Sequence, residues 1–397
     1  MMNWLQQIVS VTWLNLRTLR QRLGSSSVAV VGIAGVVLVL VAMLSIAAGF
    51  QASLTSAASP DSALVLRGGS DSEMMSGLSL EHTKIISDAP GVKKTPQGVP
   101  LASAELFVVI NLPKKSTGSD ANVPLRGVEP QAFEVRNNWK IVEGRNFEPG
   151  RNEVIVGQGA RVHFAGLELG DDLELGEAKW RVVGIFSTGG TVADSELWCD
   201  AKVLQPAYRR GSSFQSVYAK LDSPEAYSTF KDALTADPRL NIKVQREADY
   251  YASQSRALVG LIETLGWLIA GLMGLGAIFG ALITMYSAVA NRSREIATLR
   301  ALGFARVPVV VSVMAEAVLL AVFGGALGAL LAFLLFNGYQ AATLNWQTFS
   351  MVTFAFAVTP RLMLQGLILA LVLGFFGGLF PAIGAARMPV ASALREA

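Results

Sequence analysis

Charge is scarce in this sequence. Only 16% of its 397 residues are Asp, Glu, Lys or Arg, against about a quarter in an ordinary soluble domain, while 52% are apolar. Histidine and cysteine are scarcer: His82 and His163 are the only imidazoles and Cys199 the only thiol. A lone cysteine excludes an internal disulfide and a cysteine-based metal cluster. Two histidines without H-E-x-x-H spacing leave no zinc-hydrolase signature. Ser79 stands near His82, with Asp71 and Glu73 close by, but a triad is defined by geometry rather than closeness in sequence. No G-x-x-x-x-G-K-[ST] occurs anywhere, so a phosphate-cradling loop of that type is missing. The formal net charge is +3; in so apolar a chain it speaks for membrane topology rather than nucleic acid.

What the sequence has instead is four long apolar runs. Residues 28–50 and 362–383 carry no charge, 258–290 is interrupted only by Glu263, and 309–336 only by Glu316. Each is long enough to cross a hydrocarbon core of about 30 Å as a helix. The first run ends near the small residues 45–48, as a signal peptide does, but its apolar stretch is longer than such a peptide uses. It reads as a genuine span.

The short flanks set the orientation. Arg17, Arg20 and Arg22 precede the first span without an acid; Arg292, Arg294, Arg300 and Arg306 follow the second against Glu295; Arg387 and Arg395 follow the fourth against Glu396. The remaining short connection, 337–360, has no charged residue. Basic residues gather on the cytoplasmic side. Both termini (1–27 and 384–397) and the loop 291–308 are therefore expected in the cytoplasm, with 51–257 and 337–361 outside.

Residues 51–257 are numerous enough for a folded domain. Strand-like runs stand at 63–67, 106–110, 153–156, 172–175 and 180–186, the last reading WRVVGIF before STGG. Helices fit 80–88, 201–208 and 224–236, and PKKSTGSDAN at 113–122 reads as a flexible surface excursion. The polar stretch 247–256 is compatible with a helical stalk extending the second span. The expected fold is an α-helical membrane protein with four transmembrane helices and a large extracytoplasmic α+β domain, two-lobed, between helices 1 and 2. GxxxG spacing at Gly276 and Gly280, Gly324 and Gly328, and Gly374 and Gly378 favours close helix packing over a wide polar pore. Glu316 admits two readings: proton or ion coupling, or an interhelical hydrogen bond near the cytoplasmic end.

The segment NRSREIATLRALGF, 291–304, is unlike a mere turn. Asn291 can cap a helix with Glu295 in its first turn. Ile296, Leu299 and Leu302 follow as an apolar stripe, Arg292, Arg294 and Arg300 form the polar surface, and Gly303 can end the helix. Such a helix could rest on lipid headgroups or be received by a soluble partner; amphipathicity does not choose.

REIATLRALGF at 294–304 resembles the most recognisable stretch of the FtsX-like permease family, in particular the MacB-like membrane subunits of ABC transporters, and Glu316 falls where the next helix of that family bears an acid. PAIGAARMPVASALR, with Pro381, Ala382, Arg387, Pro389, Leu394 and Arg395, resembles the second signature. DAPGV at 88–92, GRNF at 144–147, EVIVG at 153–157 and VVGIF at 182–186 follow the order of the family's periplasmic core domain. The resemblance implies that 291–308 is a coupling helix docked on a nucleotide-binding subunit, with Arg294, Glu295, Ile296, Leu299, Arg300, Leu302 and Gly303 as its coupling residues, Leu302 and Phe304 packing the helix in place. It further implies a bacterial inner-membrane protein working by mechanotransmission. ATP and Mg would be bound by a separate ATPase, two copies of it, with a second permease chain. A periplasmic adaptor and an outer-membrane channel would accompany an efflux role. Lipoprotein extraction from the inner membrane, and signalling or activation of a cell-wall hydrolase, share the same four-span plan.

Overall fold

The computed structural model describes residues 23–56, 58–136 and 138–389, with isolated positions 7, 12 and 13 before them. Arg17, Arg20, Arg22, Leu394 and Arg395 lie outside the described residues.

Helix α1 (Leu23–Thr55) is followed by strand β1 (Ser62–Arg67), a 3-10 turn at Glu73–Met75 and helix α2 (Leu80–Ser87). Strands β2 (Ala102–Pro113) and β3 (Asp120–Val128) come next, then α3 (Ala132–Val135), β4 (Lys140–Gly144) and β5 (Glu153–Gly157). Helix α4 (Gln158–His163), strands β6 (Asp172–Leu175) and β7 (Ala178–Ser187), a 3-10 turn at Val192–Ser195 and strand β8 (Leu197–Asp200) follow. Helix α5 (Ala201–Ala207), strand β9 (Ser216–Lys220), helix α6 (Ala226–Thr235) and strand β10 (Ile242–Arg246) complete that stretch. The remainder is α7 (Glu247–Ala290), α8 (Ser293–Ala301), α9 (Arg306–Phe336), β11 (Gln340–Asn345), β12 (Ser350–Ala355) and α10 (Pro360–Arg387). Two compact units result. One comprises Gly49–Gly260 with Gln340–Phe356; the other holds the apolar helices.

The first unit is built on a ten-stranded sheet in the order β10-β1-β9-β2-β3-β8-β5-β7-β4, with β6 on β7. β2 belongs to two neighbourhoods: residues 102–105 pair with β9 and residues 106–113 with β3. Separate cores follow this change of partner. Ala63, Ile86, Val217 and Phe230 pack in one, and Leu106, Leu125, Phe164, Trp180 and Leu197 in another. Strands β5 and β8 are buried along their whole length, as central strands with both faces covered should be. The β6–β7 turn uses Gly176 at φ 63, the left-handed conformation that a tight hairpin demands.

Several strands differ from the sequence reading. The stretch expected as a loose excursion at 113–122 is the tip of the β2–β3 hairpin. Strand β3 hides in the sequence because Pro124 interrupts it. The proline is tolerated there because β8 pairs only with residues 125–128, so no ladder bond needs its missing N–H. The connection 337–361 likewise contains the β11–β12 hairpin. It is fastened to the same unit by Thr353 N–H donating to Ser195 Oγ at 2.8 Å and by Asn122 Nδ2 donating to the Phe349 carbonyl at 2.6 Å.

In the helical unit, α1, α7, α9 and α10 are each long and apolar enough to cross a membrane. Glycine sets two of the contacts. A Cβ at Gly328 would lie 2.4 Å from the Ala34 carbonyl oxygen, and one at Gly324 would lie 2.9 Å from that of Val30, so α9 meets α1 backbone to backbone. On α10, Gly374 and Gly378 make room for the methyl groups of Ala321 and Ala317 of α9, from which an added Cβ would lie 2.3 and 2.5 Å. Gly276 and Gly280 differ: nothing stands within 4 Å of either position. Their helix α7 also leaves Leu268, Leu272, Leu275, Phe279 and Ile283 exposed, which is ordinary where lipid is the solvent.

Candidate functional site

Helix α8 sits between α7 and α9, and both of its ends are defined. Asn291 does not cap it: Arg292 occupies the cap position and no side chain accepts from the first turn. Glu295 lies in that turn, where the helix dipole favours an acid. At the other end Gly303 has φ 93. The Gly303 N–H donates to Arg300 O and the Phe304 N–H to Leu299 O, both at 3.1 Å. This paired closure needs a residue at ease in the left-handed region, which is what glycine supplies.

Three side chains bolt α8 to its own bundle. Arg292 Nη2 donates to Glu316 Oε1 of α9 at 2.9 Å, with side chains only 4% and 3% exposed. Ile296 is buried in a cluster with Val289, Val309, Val313, Ala382 and Ala385. Arg300 Nη1 donates to the carbonyls of Ala386 at 3.0 Å and Met388 at 2.7 Å, satisfying acceptors left open at the end of α10. A cavity of about 20 Å³, room for roughly one water, lies beside Arg292, Ile296, Leu299 and Glu316.

These contacts revise the expected division of labour. Arg292 is buried rather than part of the polar surface, and Arg300 turns back onto α10. The apolar stripe splits: Ile296 points inward, Leu299 is half-buried, and Leu302, expected to pack the helix in place, is 73% exposed. The outward face carries Arg294, Glu295, Thr298, Leu302 and Arg306. For Glu316 the geometry is that of the interhelical hydrogen bond, here an ion pair. Pro381 and Ala382 lie inside α10, buried; Arg387 is in its last turn and Pro389 is exposed beyond it.

No group of three metal-ligating side chains occurs among the described residues. Cys199 is buried with its Sγ toward the Arg126 carbonyl, and burial together with nearby Asp200 pushes the thiol well up.

A second cluster, unread in the sequence, lies in the sheet unit around Arg126. Its five donor positions are all engaged: Nη1 to Glu73 Oε1 at 2.7 Å and Glu105 Oε2 at 2.9 Å, Nη2 to Glu73 Oε2 at 3.1 Å and Glu196 Oε1 at 2.8 Å, and Nε to Glu196 Oε2 at 2.8 Å. Arg136 forks onto Glu105 at 2.5 and 2.7 Å, with its guanidinium over the Tyr218 ring. Burial alone would raise the Glu73 carboxyl, but the Arg126 charge and hydrogen bonds outweigh it and hold the group below its ordinary value.

A bundle of four apolar helices, a short helix between the second and third, and a large α+β unit are the parts of a multi-pass membrane subunit. Residues 26–237 match the model of the MacB-like periplasmic core domain, and residues 267–390 match the FtsX-like permease C-terminal model. The chain belongs to the FtsX-like permease family, in its MacB-like branch, the permease component of ABC transporters. Among curated relatives, it is 26% identical over 277 residues to the pyoverdine export ATP-binding/permease protein PvdT of Pseudomonas entomophila, covering 65% of this chain and 40% of that one. It is 25% identical over 292 residues to the macrolide export ATP-binding/permease protein MacB 1 of Aeromonas hydrophila, covering 68% and 43%. The chain thus spans about two fifths of the length of these relatives. Among solved structures, the periplasmic region of MacB from Actinobacillus actinomycetemcomitans aligns with 49% of this chain and 92% of its own, at 14% identity and a TM-score of 0.37.

Proposed function

We propose that this chain is the inner-membrane permease subunit of an ABC exporter and that α8 is the element on which a separate ATPase pushes. One observation carries the reading: α8 is held by three buried or half-buried anchors while Leu302, Arg294, Glu295 and Arg306 face outward. A helix resting on lipid needs an apolar underside and a charged top. Here the apolar underside is already occupied by the chain's own bundle, and the outward apolar residue stands among charges, as a docking knob does. Force on α8 would pass through Arg292–Glu316 into α9 and through Arg300 into α10.

The ATPase, with its ATP and Mg, is assigned to a partner, two copies serving two permease chains. Both termini and α8 are placed in the cytoplasm on the basis of the short-loop arginines, and the sheet unit in the periplasm, its two cores acting as two lobes. Export with a periplasmic adaptor, and efflux through an outer-membrane channel, is favoured because the curated relatives are named for pyoverdine and macrolide export. Affinity purification from native membranes tests the assignment. Recovery of an ABC ATPase with a periplasmic adaptor is expected. A lipoprotein carrier or a cell-wall hydrolase in place of the adaptor would overturn the export role, and absence of any ATPase would overturn the permease mechanism.

A further inference from the structure

The ion cluster around Arg126 gathers groups from both sides of the point where β2 changes partners. Glu73 comes from the turn after β1, and Glu105 is the last β2 residue paired with β9. Arg126 lies on β3, Glu196 immediately before β8, and Arg136 immediately after α3. The cluster therefore stands where β2 changes partners, between the two cores.

The first turns of α7 close over it. Tyr250 is 1% exposed, and its hydroxyl accepts from the Glu73 N–H at 3.2 Å. Tyr251 is hydrogen-bonded to Tyr218, whose ring faces both arginines. Gln254 is 4% exposed and donates to the Asp71 carbonyl at 3.0 Å, while its Oε1 has no protein partner. These side chains, with Glu73, Arg126 and Glu196, line one cavity of about 30 Å³, the size of a single water site.

Buried ion networks stabilise a fold less than apolar packing of the same volume, and their best-attested use is to fix one arrangement among several. Arg126 has no donor left for another arrangement, so any rotation of one half-sheet against the other breaks a charged hydrogen bond in a buried site.

We infer that the Arg126 cluster is a clasp by which the membrane-proximal stalk, the first turns of α7, holds the two halves of the sheet in one relative position, so that movement of the stalk opens or closes them. The clasp depends on the force-transmission reading above for its purpose, not for its existence.

Hydrogen exchange on the full-length protein in lipid nanodiscs tests it, with Tyr250→Phe as the gentle variant and Arg126→Met as the severe one. In Tyr250→Phe, exchange should rise about tenfold, the loss of roughly one buried hydrogen bond, at residues 72–76 and 247–254 only. Strands β5 and β7 should exchange as in the wild type. Spin labels at Lys84→Cys and Lys179→Cys, exposed positions in the two halves, should give a broader distance distribution when Arg126→Met is added. No local rise, or a rise spread evenly over the sheet, overturns the clasp, as does an unchanged distance distribution. ATPase co-purification on the same samples separates the two ideas. Loosened halves without any bound ATPase in the wild type would sink the coupling role alone. Bound ATPase with halves that never loosen would sink the clasp alone.

Discussion

Removing Arg292 should be far more damaging than removing Arg292 and Glu316 together. The pair is 2.9 Å apart with side chains 4% and 3% exposed, so Arg292→Met leaves the Glu316 carboxylate buried beside Val309 and Val313 without a counter-charge. Orphaning one member of a buried pair costs about 3–5 kcal/mol, whereas replacing both with apolar side chains of similar volume is often close to neutral. Arg292→Met should therefore lower the melting temperature of the purified full-length chain by several degrees, on the order of 2 °C per kcal/mol at this size. Arg292→Met with Glu316→Met should recover most of that loss. Tryptophan fluorescence during thermal unfolding in detergent reads both. The second readout is binding: the double variant, though stable, has lost the strut between α8 and α9, so it should retain the ATPase but respond to it with reduced substrate-stimulated turnover. A double variant as unstable as the single one would refute the ion-pair account. A double variant with full turnover would refute the strut.

Three further outcomes follow from particular contacts. Glu73 has a lowered folded pKa, so its contribution is present above its unfolded value of about 4.3 and is lost as the pH falls through the folded value. Wild-type melting temperature should drop steeply below about pH 5 while Glu73→Gln, less stable at pH 7, shows a shallower slope; parallel slopes would contradict this. Gly328→Val drives a side chain into the Ala34 backbone and should cost about 3 kcal/mol or more, whereas Gly276→Val, in open space, should stay within about 0.5 kcal/mol; the comparison is a thermal-unfolding measurement. In spheroplasts an impermeant maleimide should label Ser116→Cys, and should label Thr298→Cys only after permeabilisation, since native Cys199 is buried; the reverse pattern would invert the topology.

The apolar runs and the glycine pairs of α9 and α10 were legible because both are local and periodic, whereas the pair Gly276 and Gly280, identical in spacing, meets no neighbour. Residues 294–304 stood out for the same reason, and Gly303 ends the helix for the reason its position suggested. What escaped the sequence was long-range. Arg292 and Glu316 are 24 residues apart, and nothing in one dimension says that a basic residue ahead of a helix will be buried against an acid two helical turns into the next span. A lone acid in an apolar run is nonetheless a demand for a partner, but Arg294, Arg300 and Arg306 all stand nearer to Glu316 in the sequence than Arg292 does, so nearness did not pick it out. The Arg126 cluster had no such clue, because Glu73, Glu105 and Glu196 come from separate elements. Strand β3 was hidden by Pro124, whose harmlessness depends on how far β8 extends. The stripe Ile296–Leu299–Leu302 misled because three-residue spacing drifts around a helix. It ends with Ile296 inward and Leu302 outward.

The exposed end of that stripe gives the most direct test of α8 as the site where the ATPase docks. Leu302 is 73% exposed, so Leu302→Asp should leave the bundle folded. In a docked contact it would forfeit roughly 2 kcal/mol of apolar burial and add the desolvation of an unpaired carboxylate. Even about 3 kcal/mol weakens binding more than 100-fold. Val142→Asp, equally a surface change but in the sheet unit, is the comparison. The measurement is the amount of ATPase that co-purifies with each variant from detergent-solubilised membranes, at matched permease yield and melting temperature. The account predicts that Leu302→Asp loses the ATPase and Val142→Asp keeps it. Full recovery of the ATPase with Leu302→Asp would contradict it.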